Sequence, residues 1–293
     1  MRFAVQHETH YRYSVPVVLA PHLLRMTPQP GANVIRSRTL VVVPQPTEVR
    51  AEIDAFGNQV TRVSFTDRPT AELRIDSRCA LDTAAPPPIS ASLALAPLPW
   101  APNFDSDLAR YSQGGAGAGV GVGVDFGVAA FARGVAAEAG HQPLAFLDHL
   151  CRTIHARSDR HIRPTGDAQS AAETLATWRG ACRDLTMLFL AAARSQGMAA
   201  RFCSGYQAAA ETPDGQRHLH AWPEVFLPGA GWRGWDPTHG VVVGEGHVAL
   251  CAAPDQADTM PVAGGYYFGG SITATLDFVV RIATGPSANG RRS

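Results

Sequence analysis

The sequence lacks the features that would assign it at once to several broad classes of protein. It has no run of about 18 apolar residues in its 293, so we expect no transmembrane helix. Its formal net charge is +0, which removes the electrostatic argument for nucleic acid or an anionic membrane as a partner. Its first residues reach a Glu and a His before any long apolar stretch, unlike a secretory signal.

Cysteine is also scarce. The five cysteines are scattered and odd in number, and no two of them form a CxxC pair. Such a set predicts neither a disulfide framework nor a zinc ribbon. A reducing cytoplasm is the compartment that fits free thiols best. We therefore expect a cytoplasmic protein that needs no cofactor and no metal, with neither nucleic acid nor membrane as a partner.

The first third of the chain has the pattern of short β-strands. Apolar and aromatic side chains alternate from Phe3 to Tyr13, with the period of two that a strand requires. Further strand-like runs cover residues 39–43, 49–54, 60–66 and 71–81. Frequent turns between short strands are typical of a sandwich or barrel. We predict an N-terminal β-sandwich-like domain over residues 1–105.

Glycine and alanine dominate the next segment. Within residues 112–127, glycine occurs at nearly every second position of one run. Such a composition buries too little side-chain surface to offset the entropy of ordering it. A phosphate-binding loop is the sharper alternative, but the lysine and the spacing of such loops are missing. We predict a linker or mobile loop over residues 106–140.

The remaining residues, 141–285, combine helices with later strands. Pro143 suits a first helical turn, Ser170 begins a capping-box pattern, and Gly197 is placed to end a strongly apolar helix that starts at Cys182. Strands are predicted over 201–207, 218–227, 232–236 and 275–282. This order predicts an α+β fold, with a buried helix that carries cysteine packed on an antiparallel sheet.

Cys182 is the most informative single residue. It follows a glycine at the start of a helix, where the helix dipole and free N–H groups stabilise a thiolate. The same N–H groups can bind the oxyanion of a tetrahedral intermediate. The other four cysteines are most simply interpreted as buried structural residues. Cys182 is therefore a candidate nucleophile.

A histidine and an aspartate on the predicted hairpin complete a possible set of three. A loop centred on Pro228 and Gly229 would place His220 directly opposite Asp236, close enough for the carboxylate to hold the imidazole. A loop centred one or two residues later would move the partner of His220 towards His239. His218 shares the strand face of His220 and is a second candidate for a place near the site.

A metal site is the alternative use of the same side chains. Cys182, His218, His220 and Asp236 are all possible zinc ligands, and two histidines at i and i+2 on a strand face one side. No CxxC, HExxH or HxxxH accompanies them, and zinc does not require a Gly-Ala-Cys helix start. This alternative is the less favoured one.

Four blocks in order resemble the bacterial transglutaminase-like superfamily. They are residues 180–184 (Gly-Ala-Cys-Arg-Asp), 200–206 (Ala-Arg-Phe-Cys-Ser-Gly-Tyr), 220–225 (His-Ala-Trp-Pro-Glu-Val) and 235–238 (Trp-Asp-Pro-Thr). Residues 7–13 and 54–58 are similar to the β-rich region that precedes this core in many bacterial members. Residues 254–262 are similar to a segment that usually follows it. Arg183 stands where the family more often has Gln.

The resemblance implies a papain-like core and a role for each of three residues. Cys182 would be the nucleophile, His220 the base and then the acid, and Asp236 the residue that orients His220. The Cys182 N–H would donate to the oxyanion, and Trp178 is a candidate for the second donor on proximity alone. Arg183, His218 and Trp222 are candidate cleft residues.

The sequence thus predicts a cysteine-dependent acyl-transfer enzyme of the transglutaminase-like superfamily, most simply a peptidase or amidase that forms a thioester. A true transglutaminase and a non-catalytic binding or assembly protein on the same fold are the alternatives. The expected partner is a peptide or another amide-containing substrate, with proteins among the candidates. The sequence does not determine the oligomeric state.

Overall fold

Three antiparallel sheets, a two-stranded parallel sheet and a layer of helices make up the described part of the protein. The computed structural model describes residues 1–31, 33–101, 107–112, 125–163, 166–210 and 215–286. The strands of the first third are β1 Arg2–Leu19, β2 His22–Leu24, β3 Val34–Val43, β4 Glu48–Ile53, β5 Gln59–Ser64 and β6 Thr70–Asp82. No helix among the described residues is long and apolar enough to cross a membrane.

Helices dominate the middle of the chain, and strands return after it. The middle elements are α1 Ala109–Ser112, α2 Phe126–Glu138, α3 Pro143–Arg157, β7 Asp159–Arg160, α4 Ala171–Thr177, β8 Arg179–Gly180 and α5 Cys182–Ser195. The later elements are β9 Ala200–Gln207, β10 His220–Leu227, β11 Gly231–Asp236, β12 Val241–Val242, β13 His247–Ala253, a 3-10 turn Ala257–Thr259, β14 Val262–Ala263, β15 Tyr266–Tyr267 and β16 Ala274–Gly285.

The N-terminal part is a sandwich of two antiparallel sheets, as the alternating pattern predicts. One sheet has the order β15-β1-β6-β3, with β16 also paired to β1, and the other has the order β14-β2-β5-β4. A buried apolar cluster lies between them, to which Tyr13 and Ile75 contribute from the first sheet and Leu24 and Val63 from the second. The α+β fold class predicted from the sequence is the one observed.

The second half of the chain, called the catalytic half below because it holds the candidate site residues Cys182, His220 and Asp236, is built around helix α5. This helix and α2 and α3 enclose one large buried cluster against an antiparallel sheet of order β12-β11-β10-β9-β13. Local signals fix the helix ends. The Asp125 side chain accepts from the first N–H groups of α2, Pro143 is in the first turn of α3, and Ser170 caps α4.

Two of the predicted boundaries need correction. Residues 126–138 of the predicted linker form α2, whose Val128, Ala132 and Val135 are buried in the main core, because alanine and valine supply a continuous apolar stripe there. Residues 113–124, which hold most of the glycine-rich run, lie outside the described residues.

The last predicted strand also belongs elsewhere. The strand predicted over residues 275–282 was assigned to the core domain, but the observed strand β16 pairs with β1 along its whole length, from Tyr13 with Ala274 to Arg2 with Gly285. Strand β6 pairs with one edge of β1, and β16 supplies the backbone partner for the other edge. The chain therefore returns from the catalytic half to complete the N-terminal sheet.

A seam of buried side chains joins the N-terminal sheet to the catalytic sheet. Phe3 and Val5 of β1 pack with Tyr206 of β9 and Val248 of β13. His7 lies in the same seam, 3% exposed, and its Nδ1 is 3.0 Å from the Tyr206 hydroxyl. Burial lowers the pKa of His7 to about 4. The two halves therefore meet across an interface that requires neutral histidine.

We predict that His7 makes the protein acid-sensitive. Because the folded pKa of about 4 lies below the unfolded value, its stabilising contribution is complete above pH 6.5 and is lost as the pH falls towards 4. When the pH is lowered from 7 to 4.5, the free energy of unfolding measured in urea should fall by about 2–3 kcal/mol less in His7→Gln than in the wild type. His141→Gln, at an exposed position, is the control. Equal pH dependence of all three proteins would contradict the prediction.

Candidate active site

Helix α5 begins at Cys182, and a buried carboxylate two residues later fixes this helix start. Asp184 is 0% exposed and accepts from the Ala181 N–H at 2.7 Å, the Gln169 N–H at 2.7 Å and Arg163 Nη2 at 2.6 Å. One side chain thus ties the residue before the nucleophile to the segment that precedes α4. The position of Cys182 depends on this carboxylate.

The glycine that precedes the helix is a steric requirement. A Cβ at Gly180 would lie 2.7 Å from the Cβ of Asp184, which is closer than real Cβ atoms approach. Neither group can move away, because Asp184 is held by three donors. The Gly-Ala-Cys-Arg-Asp order is therefore one packed unit, and its glycine and aspartate depend on one another.

Cys182 is the accessible thiol of the protein. The other four cysteines are buried, whereas Cys182 is partly exposed. Burial raises the pKa of each buried thiol, to about 11 for Cys79 and to about 12 for Cys151 and Cys251, and that of Cys203 lies well above its usual value. Those four thiols are kept protonated and out of reach, which leaves Cys182 as the candidate nucleophile.

His220 begins strand β10 and is 1% exposed. Its Nε2 is 2.9 Å from Oδ2 of Asp236, which is itself fully buried. This bond engages Nε2, so any proton exchange with Cys182 would have to use the other ring nitrogen, Nδ1. The carboxylate holds the imidazole in the orientation and tautomer that a base requires.

The hairpin register differs from the one that would set His220 directly opposite Asp236. Leu227 pairs with Gly231, so the turn has three residues and is centred on Gly229, whose φ is +79°. Continued at the same offset, this register sets Asp236 opposite Trp222. The sequence left the register open between two loop centres, and the structure has the later one. The His220 and Asp236 side chains therefore meet on the diagonal and do not lie directly opposite one another.

Asp236 is the most heavily hydrogen-bonded side chain of the site. Besides His220, its Oδ2 lies 2.9 Å from His239 Nδ1 and 3.1 Å from His247 Nε2, and its Oδ1 accepts from the backbone N–H groups of Thr238 and His239. Burial raises the pKa of Asp236, but the charge of His220 and the three histidine hydrogen bonds outweigh it and hold the pKa well below its usual value. The carboxylate is therefore ionised.

Two of these partners were not assigned by the sequence. His239 entered only as an alternative neighbour of His220, and His247 did not enter at all. His247 reaches Asp236 because the chain between β12 and β13 crosses the end of the sheet from one edge to the other. No local motif indicates such a crossing. A histidine at the start of a strand was the sole available signal.

The thiol and the imidazole line one cavity of about 240 Å³. Ala181, Cys182 and Arg183 form one side of it, and His218 and His220 lie on another. The N-terminal sheet supplies the facing wall, and the residues of that wall are His7, Thr9, Tyr11, Leu276 and Phe278. The site is thus closed by a part of the chain far from the motifs that define it.

The remaining candidate residues are placed differently from one another. Arg183 and His218 line the cavity, and Trp222 packs behind His220, with ring centroids 6.0 Å apart. Trp178 does not line it. The backbone N–H of Trp178 already donates to the Thr174 carbonyl, and the Arg157 guanidinium lies over its indole ring. Its proposed role as an oxyanion donor is therefore wrong.

The potential metal ligands that lie close together in the structure differ from the set proposed from the sequence. Among the described residues, His220, Asp236 and His239 offer ligand atoms within 4.8 Å of one another, whereas Cys182 and His218 are not in this group. The imidazole nitrogens converge on Oδ2 itself at hydrogen-bonding distance. An oxygen atom therefore occupies the place that an ion would take, and the arrangement favours hydrogen bonding.

Comparison with known proteins agrees with this geometry. The model of the bacterial transglutaminase-like N-terminal region matches residues 3–82, and the model of the transglutaminase-like superfamily core matches residues 129–237. The chain belongs to the transglutaminase-like superfamily. The matched core contains Cys182, His220 and Asp236.

Relatives of this transglutaminase-like chain extend over nearly its whole length. An uncharacterised protein of Mycobacterium tuberculosis is 27% identical over 285 residues, which is 91% of this chain and 88% of the relative. One from Mycobacterium leprae is 27% identical over 292 residues, 96% and 98% respectively. A candidate cysteine protease from Cytophaga hutchinsonii superposes with a TM-score of 0.67 at 18% identity and covers 97% of this chain and 90% of its own, so the fold is shared.

We predict that Asp184→Asn destabilises the protein by about 3 kcal/mol, because an amide accepts through one oxygen only and leaves buried donors of the Cys182 loop unpaired. Urea unfolding measures the loss. The control is Asp159→Asn, since Asp159 pairs with Arg179 in an exposed ion pair that should contribute under about 1 kcal/mol. Similar small losses in both variants would contradict the role of Asp184.

Proposed function

We propose that this protein is a cysteine-dependent acyl-transfer enzyme that hydrolyses amide bonds through a thioester, as a peptidase or amidase. One observation carries the proposal. The accessible thiol of the chain lies at a helix start in the same cavity as His220, whose far nitrogen is bound by a buried carboxylate. Nucleophile, base and orienting group are the three roles that such chemistry needs.

The proposed reaction has two halves. In the first, the Cys182 thiolate forms a bond to the amide carbon, the carbonyl electrons move to oxygen, and collapse of that intermediate expels the amine with a proton from His220 Nδ1. The Cys182 N–H, in the first turn of α5, has no intrahelical acceptor and can donate to the oxyanion. In the second, His220 takes a proton from water as the water attacks the thioester, and the acid and the thiolate are released.

The cavity wall supports a proposal on substrate class. Tyr11, Leu276 and Phe278 line the same cavity as Cys182 and contribute apolar surface to it. A peptide with an apolar side chain next to the scissile amide would bury that side chain against this wall. We propose such peptides, in the cytoplasm, as the substrates, and no metal ion enters the proposed reaction.

We predict that Cys182→Ala lowers turnover by at least about 10³-fold without loss of folding, since removal of a nucleophile from a triad costs orders of magnitude in rate. Iodoacetamide should label Cys182 before any other cysteine. Cys151→Ala, which removes a buried thiol, is the control for nucleophile identity. An active Cys182→Ala enzyme would remove Cys182 from the reaction.

The same assay shows whether water or an amine accepts the acyl group from the thioester. Peptide hydrolysis is followed with and without millimolar primary amine, and amine adducts are sought by mass spectrometry. Hydrolysis should dominate. Adducts in excess of hydrolysis product would show a transglutaminase. If the unlabelled protein turns over no amide although its Cys182 reacts with iodoacetamide, the binding or assembly protein is favoured.

We predict that Leu276→Asp raises KM for peptides with an apolar residue beside the scissile bond by about tenfold, with a smaller effect on kcat, because a charge replaces apolar surface in the cavity wall. Val279→Asp is the matched control. It lies on the same strand with similar exposure, 42% against 41% for Leu276, and does not line the cavity. Equal KM changes in the two variants would contradict the assignment of this wall.

A further inference from the structure

Three imidazoles converge on a single oxygen atom of the site. Oδ2 of Asp236 is 2.9 Å from His220 Nε2, 2.9 Å from His239 Nδ1 and 3.1 Å from His247 Nε2. The His239 and His247 side chains are 19% and 9% exposed, and that of Asp236 is fully buried. The roles of a nucleophile, a base and an orienting group account for one of these imidazoles and leave two unexplained.

The partners of the two additional histidines define their protonation. His239 Nε2 is 3.2 Å from the amide nitrogen of Gln207, which can only donate, so His239 Nε2 accepts and its Nδ1 carries the hydrogen. The Gly244 N–H donates to His247 Nδ1 at 3.5 Å, so the Nε2 of His247 carries the hydrogen. Nδ1 of His239 and Nε2 of His247 are therefore the nitrogens that donate to the Asp236 carboxylate.

Each of these N–H donors withdraws part of the carboxylate charge that would otherwise act on His220. A carboxylate that accepts additional N–H bonds is a weaker base and attracts the neighbouring imidazolium proton less strongly. The same bonds fix the rotation of the carboxylate, since its second oxygen is held by two backbone N–H groups. The cluster therefore restrains both the position and the basicity of the Asp236–His220 pair.

We propose that His239 and His247 are positioning residues of the active site, which orient Asp236 and weaken its pull on His220. They thereby set the pH at which His220 loses its proton. This inference rests on the proposed function only for its effect on turnover. Its effect on the titration of His220 holds whether or not the protein hydrolyses amides.

Other charged and titratable groups face the cluster from the elements around it. None of them is hydrogen-bonded to Oδ2 of Asp236 among the described residues, and all except Cys182, which the titration experiments replace by alanine, are unchanged in every variant below. They are Cys151 and His155 on α3, with Asp148 and Arg160 beside them, Cys182, Arg183 and His218 in the cavity that His220 lines, and Glu245 two residues before His247 in the sequence.

The primary test is an NMR titration of His220 in the Cys182→Ala protein, with and without a change at His247. His247→Leu removes the donor at similar volume, and we expect it to raise the pKa of His220 by about half a unit or more. His247→Gln, which retains an N–H donor, should restore the pKa towards that of the protein with His247. His149→Leu, at an exposed histidine paired with Glu138, is the remote control.

The corresponding effect on turnover is measured with Cys182 present. In His247→Leu, the alkaline limb of kcat/KM should move to higher pH, because His220 holds its proton longer, and kcat should fall several-fold while KM is unchanged. His247→Gln should retain most of the wild-type profile. A merely structural role would instead change stability without moving the alkaline limb.

A measurement that leaves the network intact covers the case in which His247→Leu does not fold. Nitrogen-15 imidazole spectra of the Cys182→Ala protein at pH 7 should show neutral His239 protonated on Nδ1 and neutral His247 protonated on Nε2. An imidazolium at either position would overturn the proposal, as would a folded His247→Leu protein in which the pKa of His220 is unchanged or lower. An inactive protein with the expected titration would refute the proposed function alone.

Discussion

The site depends on an ionised carboxylate held away from water. Asp236 is fully buried, and a charge in such a place is tolerated only when hydrogen bonds replace its hydration. Five donors from β10, from the turn after β11 and from the start of β13 supply those bonds. The packing of three chain segments at one end of the catalytic sheet is therefore organised around one negative charge, and the orientation of His220 is its consequence.

A second buried carboxylate performs the equivalent task on the nucleophile side. Asp184 has lost its solvent as well, and its three donors bind the start of α5 to the segment before α4. The thiol and the imidazole thus lie on separate elements, each fixed by its own buried acid. Between them lies a cavity that the N-terminal sheet closes. The catalytic half alone would leave the thiol facing an open surface, which links the sandwich to function.

The sequence was informative wherever a feature is local and less so wherever the feature depends on distant pairing. The start of α5 could be predicted because Gly180, Cys182 and the apolar stripe after them lie within a few turns of one helix. The His220–Asp236 bond could be predicted as a pair but not in its register, which the three-residue turn at Gly229 sets. The contact of His247 with Asp236 could not be predicted, because it depends on the connection from β12 at one edge of the sheet to β13 at the other. The place of β16 was likewise invisible, because a strand pattern does not name its partner.

The return of β16 to β1 has a consequence for synthesis of the protein. Gln6 and Arg281 are hydrogen-bonded across 275 positions, so the first strand emerges from the ribosome long before its neighbour exists. Until then β1 has one open edge, which is a site for pairing with other chains. The nascent chain would carry a folded thiol helix without the Leu276 and Phe278 wall of the cavity. Because that wall is translated after Cys182 and His220, assembly of a complete cleft awaits the synthesis of β16.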